Sequence, residues 1–106
     1  MDPVEINAGT WYLRALRADD RIDDRPALAD LGETDPDHVP TSLAGWQQDR
    51  AYSWAVCEPT TGELLGEVIL NVATGAIALR ARPGHAEATQ TAADAVRRFA
   101  ASIGIG

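Results

Sequence analysis

A chain of 106 residues fits one domain, and with 45% of them hydrophobic it can bury a core of modest size. A formal net charge of -7 opposes phosphate backbones, which excludes a general nucleic-acid binder and leaves amine-bearing partners permitted. All nine basic residues are arginine, so Schiff-base lysine chemistry and the P-loop lysine are excluded, and this residue usage suits a GC-rich bacterial genome.

The first strand is expected over residues 10–16, where Trp11, Leu13 and Ala15 alternate with Tyr12, Arg14 and Leu16. Asp19 and Asp20 follow, and negative charge is favoured ahead of a helix; a helix is expected within residues 23–31, with Pro26 in its first turn and Gly32 as its stop. Residues 35–40, polar and carrying two prolines, read as a loop. Thr41 or Ser42 then caps a short helix running to Arg50, with Leu43 and Trp46 on one face.

Three strands come next. Tyr52, Trp54 and Val56 alternate with Ser53, Ala55 and Cys57, and the run Pro59-Thr60-Thr61-Gly62 turns the chain. Residues 64–72 form the second strand, with Val68, Leu70 and Val72 on one face and Glu67, Ile69 and Asn71 on the other. Thr74-Gly75 turns again into residues 76–82, where Ile77, Leu79 and Ala81 share a face. The short turns imply an antiparallel meander. Pro83 and Gly84 end it. Residues 87–102 then carry an apolar stripe at helical spacing through Ala88, Ala92, Val96, Phe99, Ala100 and Ile103, with Gly104 as the stop. The fold class this order predicts is α+β: one mainly antiparallel sheet with helices packed on it, in a single domain over residues 1–106.

Cys57 has no second cysteine to pair with, which favours a reducing cytoplasm, and its strand position reads as a buried structural thiol. The N-terminal residues lack the basic and apolar regions of a signal peptide, and no apolar run is long enough to span a bilayer. His38, His85 and Cys57 have no metal-ligand spacing, and Asp19, Asp20, Asp23 and Asp24 do not match a calcium loop, so no metal site is expected.

Several phrases resemble the RimJ/RimL-like branch of the GNAT N-acetyltransferases. Residues 12–20 (YLRALRADD) resemble that family's opening strand and its run into the first helix. Residues 53–56 (SWAV) with residues 61–68 (TGELLGEV) resemble its central hairpin, and Arg82-Pro83 with the helix beyond resembles the end of its fourth strand. The resemblance covers about residues 10–103 and implies a partial GNAT fold that binds acetyl-CoA. It implies a cofactor position along Ala81, Arg82, Gly84 and His85, where the family's glycine-rich loop and helix N-terminus hold a pyrophosphate. This chain departs from the family there: residues 83–90 (PGHAEATQ) hold one glycine and place Glu87 beside the expected phosphates, a repulsion of about 1 kcal/mol or more. The family also continues into a fifth strand, so this chain reads as a truncated domain whose strand over residues 76–82 is an open edge.

Within that resemblance Glu67, opposite in phase to Val68 and Leu70, is expected on the open side of the sheet, where a carboxylate can take a proton from an amine directly or through water. Trp46 is a candidate wall of a substrate groove, and His85 a candidate phosphate contact or base. Two functions stay open. One is an acetyl-CoA-dependent N-acetyltransferase acting on a small amine or a protein N-terminus, its site completed by a second chain. The other is a non-catalytic GNAT-derived module that dimerises or binds a partner. Both accommodate a homodimer in which two open edges meet or two chains cover each other's open face, with Arg80 and Arg82 as the residues able to discourage edge pairing.

Overall fold

In the computed structural model eight elements follow one another as β1 (Ile6–Ala8), β2 (Trp11–Arg14), α1 (Arg25–Asp30), α2 (His38–Gln47), β3 (Ala51–Cys57), β4 (Leu64–Asn71), β5 (Ile77–Ala81) and α3 (Ala86–Ser102). The structure describes residues 1–105; Gly106, the last residue of the expected domain, lies outside them. The five strands form one antiparallel sheet in chain order, β1-β2-β3-β4-β5, so the fold is α+β with helices packed on a mainly antiparallel sheet.

β1 has no counterpart in the sequence reading, because three residues are too few to show a period-2 pattern. A two-residue turn makes it: Ala8 pairs with Trp11 across Gly9 and Thr10, and Gly9 holds φ +63°, the left-handed conformation that glycine reaches at no steric cost. The acidic run at Asp19 and Asp20 does not lead a helix. Asp19 accepts the backbone N–H groups of Arg21 and Ile22, closing a turn whose ends, Ala18 and Asp23, form a β-bridge. α1 starts only at Arg25, with Pro26 in its first turn.

α2 begins at His38, inside the stretch expected to be loop, and ends at Gln47. Its Pro40 falls in the first turn, where a missing N–H leaves no helical bond unmade. Leu43 does not share a buried face with Trp46: it is exposed while Trp46 is fully buried.

Antiparallel register sorts side chains to two faces. Leu13, Val56 and Gly66 lie opposite one another, as do Trp54, Val68 and Leu79; these point toward α3. There Leu13, Trp54, Val56 and Val68 pack on Ala92, Ala93, Val96 and Ala100, small residues that let the helix lie close to the sheet, while Leu79 at the sheet edge stays exposed. The closest approach is at Gly66, where an added methyl would stand 2.3 Å from the Thr89 hydroxyl and 2.9 Å from the Arg80 carbonyl oxygen. Ile103, expected in the α3 stripe, is instead exposed just past the helix end.

At one end of this core the aromatic rings meet. Trp46 stacks on Tyr52 with centroids 4.5 Å apart and meets Trp54 edge-on at 4.9 Å, and Phe99 meets the far side of Trp54 at 5.7 Å. Each buried indole N–H has an acceptor, Trp46 on the Ser53 carbonyl and Trp54 on the Val4 carbonyl, as such rings require.

The other face, under α1 and α2, carries a second apolar cluster of Leu16, Leu28, Val39, Ala55, Cys57 and Leu64. A row of four opposed positions crosses it, Arg14, Ala55, Glu67 and Arg80. Three of these four can carry charge, and the site is built on them.

Candidate functional site

Glu67 occupies the middle of β4, paired across the ladder with Arg80 on β5, so both side chains leave the sheet on the α1–α2 face. Here the sequence expectation fails: Glu67 is on no open side. It is fully buried, and both carboxylate oxygens are taken. Arg80 Nε donates to Oε1 at 2.7 Å, and His38 Nε2, from the first residue of α2, lies 2.7 Å from Oε2. A second carboxylate closes a ring. Glu33, in the α1–α2 link, receives a 2.9 Å bond from Arg80 Nη2 and lies 3.3 Å from His38 Nδ1. Gly32 at φ +90° turns the chain after α1, and the Glu33 backbone N–H bonded to Leu28 O then fixes where that carboxylate starts.

His38 and Arg80 therefore each bridge the same two glutamates, joining the α1–α2 link, α2, β4 and β5. The hydrogen bond from Arg80, helped by the nearby imidazole, holds the Glu33 carboxyl below the usual range. Burial opposes the Arg80 charge, yet the bonds to Glu33 and Glu67 outweigh it and keep the guanidinium above its ordinary value. Among the described residues no buried side-chain nitrogen or oxygen lacks a partner. Each Glu67 oxygen accepts one charge-assisted bond, and because the carboxylate is fully buried its remaining lone pairs face protein and not solvent. The ring clamps Glu67 away from solvent, while His38, Glu33 and Arg80 keep part of their side chains exposed.

Beside it on the same face, Arg14 and Asp24 form a second buried pair, two parallel bonds of 2.8 and 2.9 Å. Asp24 also accepts the Arg17 backbone N–H at 2.6 Å, and Arg14 donates to the Gly62 carbonyl across the β3–β4 turn.

The expected cofactor positions fall at the far end of β5. Ala81 ends the strand, and Gly84 turns the loop at φ +86°. His85 is the N-cap residue of α3, half-buried, its carbonyl taken by the Thr89 N–H and hydroxyl. Arg82 and His85 line a cavity of about 690 Å³ with Asp30, Glu58, Thr61, Glu63, Leu65 and Pro83. That cavity is acidic. Arg82, its cation, is already bonded to Glu63 and Asp30, which raise its guanidinium above the ordinary value against the opposing effect of burial. Glu87 adds a carboxylate in the first turn of α3. A pyrophosphate placed here would meet the carboxylates of Asp30, Glu58 and Glu63 with Arg82 already paired and only the His85 imidazole left to offset them, so these residues fit the phosphates of acetyl-CoA poorly.

Trp46, the expected wall of a substrate groove, is instead sealed in the aromatic core, with no surface to offer a ligand. Cys57 is buried under α1, and burial, with a contribution from Asp24, pushes its thiol up to about 11 against the lowering by Arg14, the signature of an inert thiol. No group of three or more His, Cys, Asp or Glu among the described residues is placed to hold a metal, and no helix among them is long and apolar enough to cross a membrane.

In the sequence reading neither Glu33 nor His38 is marked as part of a charged site, and His38 enters only as lacking metal-ligand spacing. The signal for His38 was present: Pro40 in a first helical turn is the cue that correctly placed α1 at Pro26, and applied here it starts α2 at His38. Nothing in the spacing marks Glu33, whose role arises only when α1 folds back over the sheet.

No family model, curated protein or solved structure matches this chain. Function is therefore argued from the site itself.

Proposed function

We propose that this chain is a GNAT-like module that works by binding a protein partner and not by acetyl transfer. The observation that carries the reading is Glu67: the carboxylate in the position of a base is sealed from solvent, with both oxygens committed to Arg80 and His38. The acidic cavity at the end of β5 supports it further, since Arg82 is spent on Asp30 and Glu63 where a phosphate-binding loop needs free donors. The excess of carboxylates sets nucleic acid aside as partner. A single buried cysteine suits the cytoplasm as the place of action.

Calorimetric titration with acetyl-CoA tests this. No heat of binding at millimolar ligand is the expected result. A micromolar dissociation constant, about -8 kcal/mol, would restore the acetyltransferase reading and call for a screen of amines.

A further inference from the structure

We infer that the partner is a second copy of this chain, joined edge to edge through β5 in an antiparallel register centred on Leu79. The inference rests on the binding-module reading and names its partner.

β5 ends the sheet. The bonds at the two ends of its ladder, from the Asn71 N–H to the Ala76 carbonyl and from the Arg82 N–H to the Leu65 carbonyl, set the alternation. Even-numbered residues face β4, so the backbone N–H and C=O groups of Ile77, Leu79 and Ala81 point away from the sheet. Proteins guard such edges with charge, proline or a bulge. β5 has no proline, and its register with β4 runs unbroken over all five residues. Its charge is also withdrawn: Arg80 folds back to Glu67 and Glu33, and Arg82 to Glu63 and Asp30, all within the same chain. The two arginines able to block pairing are thus neutralised on the α1–α2 face. Leu79 stays exposed at 39%, on the α3 face.

The strand is self-complementary. With the two-fold axis at Leu79, all five residues pair: Leu79 meets its own copy, Ile77 meets Ala81, and Arg80 falls opposite Ala78, so no like charges oppose. Centring on Arg80 would set two guanidinium groups against each other, and centring on Ala78 would leave Arg80 and Ala81 unpaired. In the Leu79 register each outward pair exchanges two backbone bonds. The axis runs normal to the sheet, which places both α3 helices on one face and covers each Leu79 with the other.

Sedimentation of the full chain is the test, with a dimer of twice the 11.3 kDa chain mass as the expected result. Leu79→Pro removes an outward N–H that the monomer does not use, a position where edge strands tolerate proline, and is expected to weaken the dimer by about tenfold or more. Leu79→Arg, which sets two cations on the axis, is expected to do the same. Circular dichroism confirms that both variants fold. A wild-type chain that stays monomeric at millimolar concentration overturns the inference, and so does a dimer indifferent to both substitutions. The two readings fail separately. A monomer that ignores acetyl-CoA removes this interface and spares the binding module; a β5-linked dimer that binds acetyl-CoA does the reverse.

Discussion

The two faces of the sheet solve burial in different ways. Toward α3, Trp54, Val56, Val68 and Leu70 meet a helix of small residues, and the packing is apolar and free of buried charge. Toward α1 and α2 the sheet buries Arg14 and Glu67, with Asp24 from the start of α1, among leucines, each held by charge-assisted bonds. An apolar face degrades by degrees, since each lost methylene removes a share of transfer energy. An ionic face depends on completeness: a paired charge is tolerated, and the same charge without its partner carries its full desolvation cost. What the second face contributes is a single way of seating α1 and α2, because the bonds have direction and hydrophobic contact does not.

The sharpest way to break this contrast is Asp24→Ala. It strands Arg14, which is only 5% exposed, and is expected to cost about 3–5 kcal/mol in a urea titration. Leu70→Ala on the α3 face costs a similar amount, about 2–5 kcal/mol, so single losses do not separate the faces. The double replacement Arg14→Met with Asp24→Leu does. It is expected to recover most of the Asp24→Ala loss, since it removes both charges together and leaves only backbone groups such as the Arg17 N–H and the Gly62 carbonyl without their side-chain partners, and no pairwise swap restores Leu70→Ala in that way. Equal losses for the double and the single replacement would mean that the pair itself, and not the stranded arginine, stabilises the fold.

A smaller effect appears at alkaline pH. The Cys57 thiol lies on the ionic face with its pKa raised from 9.0 to about 11, burial being the main cause. Its folded value lies above its unfolded one, so this contribution is complete below pH 9. It is lost as pH rises, because the unfolded chain releases its proton first. Two units correspond to about 2–3 kcal/mol between pH 9 and 11. Cys57→Ala should flatten that part of the stability profile. Tyr52, among the aromatic rings of the other face, is pushed up to about 12 by its bond to Asp49 and adds its own alkaline loss. The part of the limb that survives Cys57→Ala belongs to Tyr52 and to Tyr12, whose hydroxyl is also raised by its bond to Glu5.

The apolar face was legible in the sequence and the ionic face was not. Alternation through Tyr52, Trp54 and Val56, and the helical spacing from Ala88 to Ala100, placed β3, β4, β5 and α3 to within a residue or so, because periodicity reports which side chains avoid water. Periodicity is mute on buried charge. Alternation puts Glu67 on the correct face but shows that face as open, since nothing in the strand itself marks that α1 and α2 cover it. His38 was hidden by reading the prolines of residues 35–40 as loop, and Glu33 by lying between elements. Trp46, a plausible groove wall by size, proved to be core because Tyr52 and Trp54 converge on it from β3. Partners distant in sequence make an ionic site, and a one-dimensional pattern holds no record of them.

The smallest expected effect tests whether the ring at Glu67 shares the all-or-none character of the Arg14–Asp24 pair. Glu33 is its more exposed carboxylate and is held below the usual range chiefly by Arg80. A folded value below the unfolded one gives stability that is present above about pH 4.5 and lost as pH falls through the depressed value. Glu33→Gln should therefore make the acid limb shallower, by under about 1 kcal/mol at this exposure. The limb does not vanish, because the exposed carboxylates of Asp19, Asp23, Asp49 and Glu58 are also held low by bonds to arginine, the N-terminal amine or backbone N–H groups. A thermal melt series from pH 3 to 6 resolves the difference. If Glu33→Gln instead costs several kcal/mol at neutral pH, then Arg80 depends on both glutamates at once and the ring is as indivisible as the buried pair. A cost near zero would make Glu33 an outer rim and leave Glu67, with His38 and Arg80, as the part that seats α2 on the sheet.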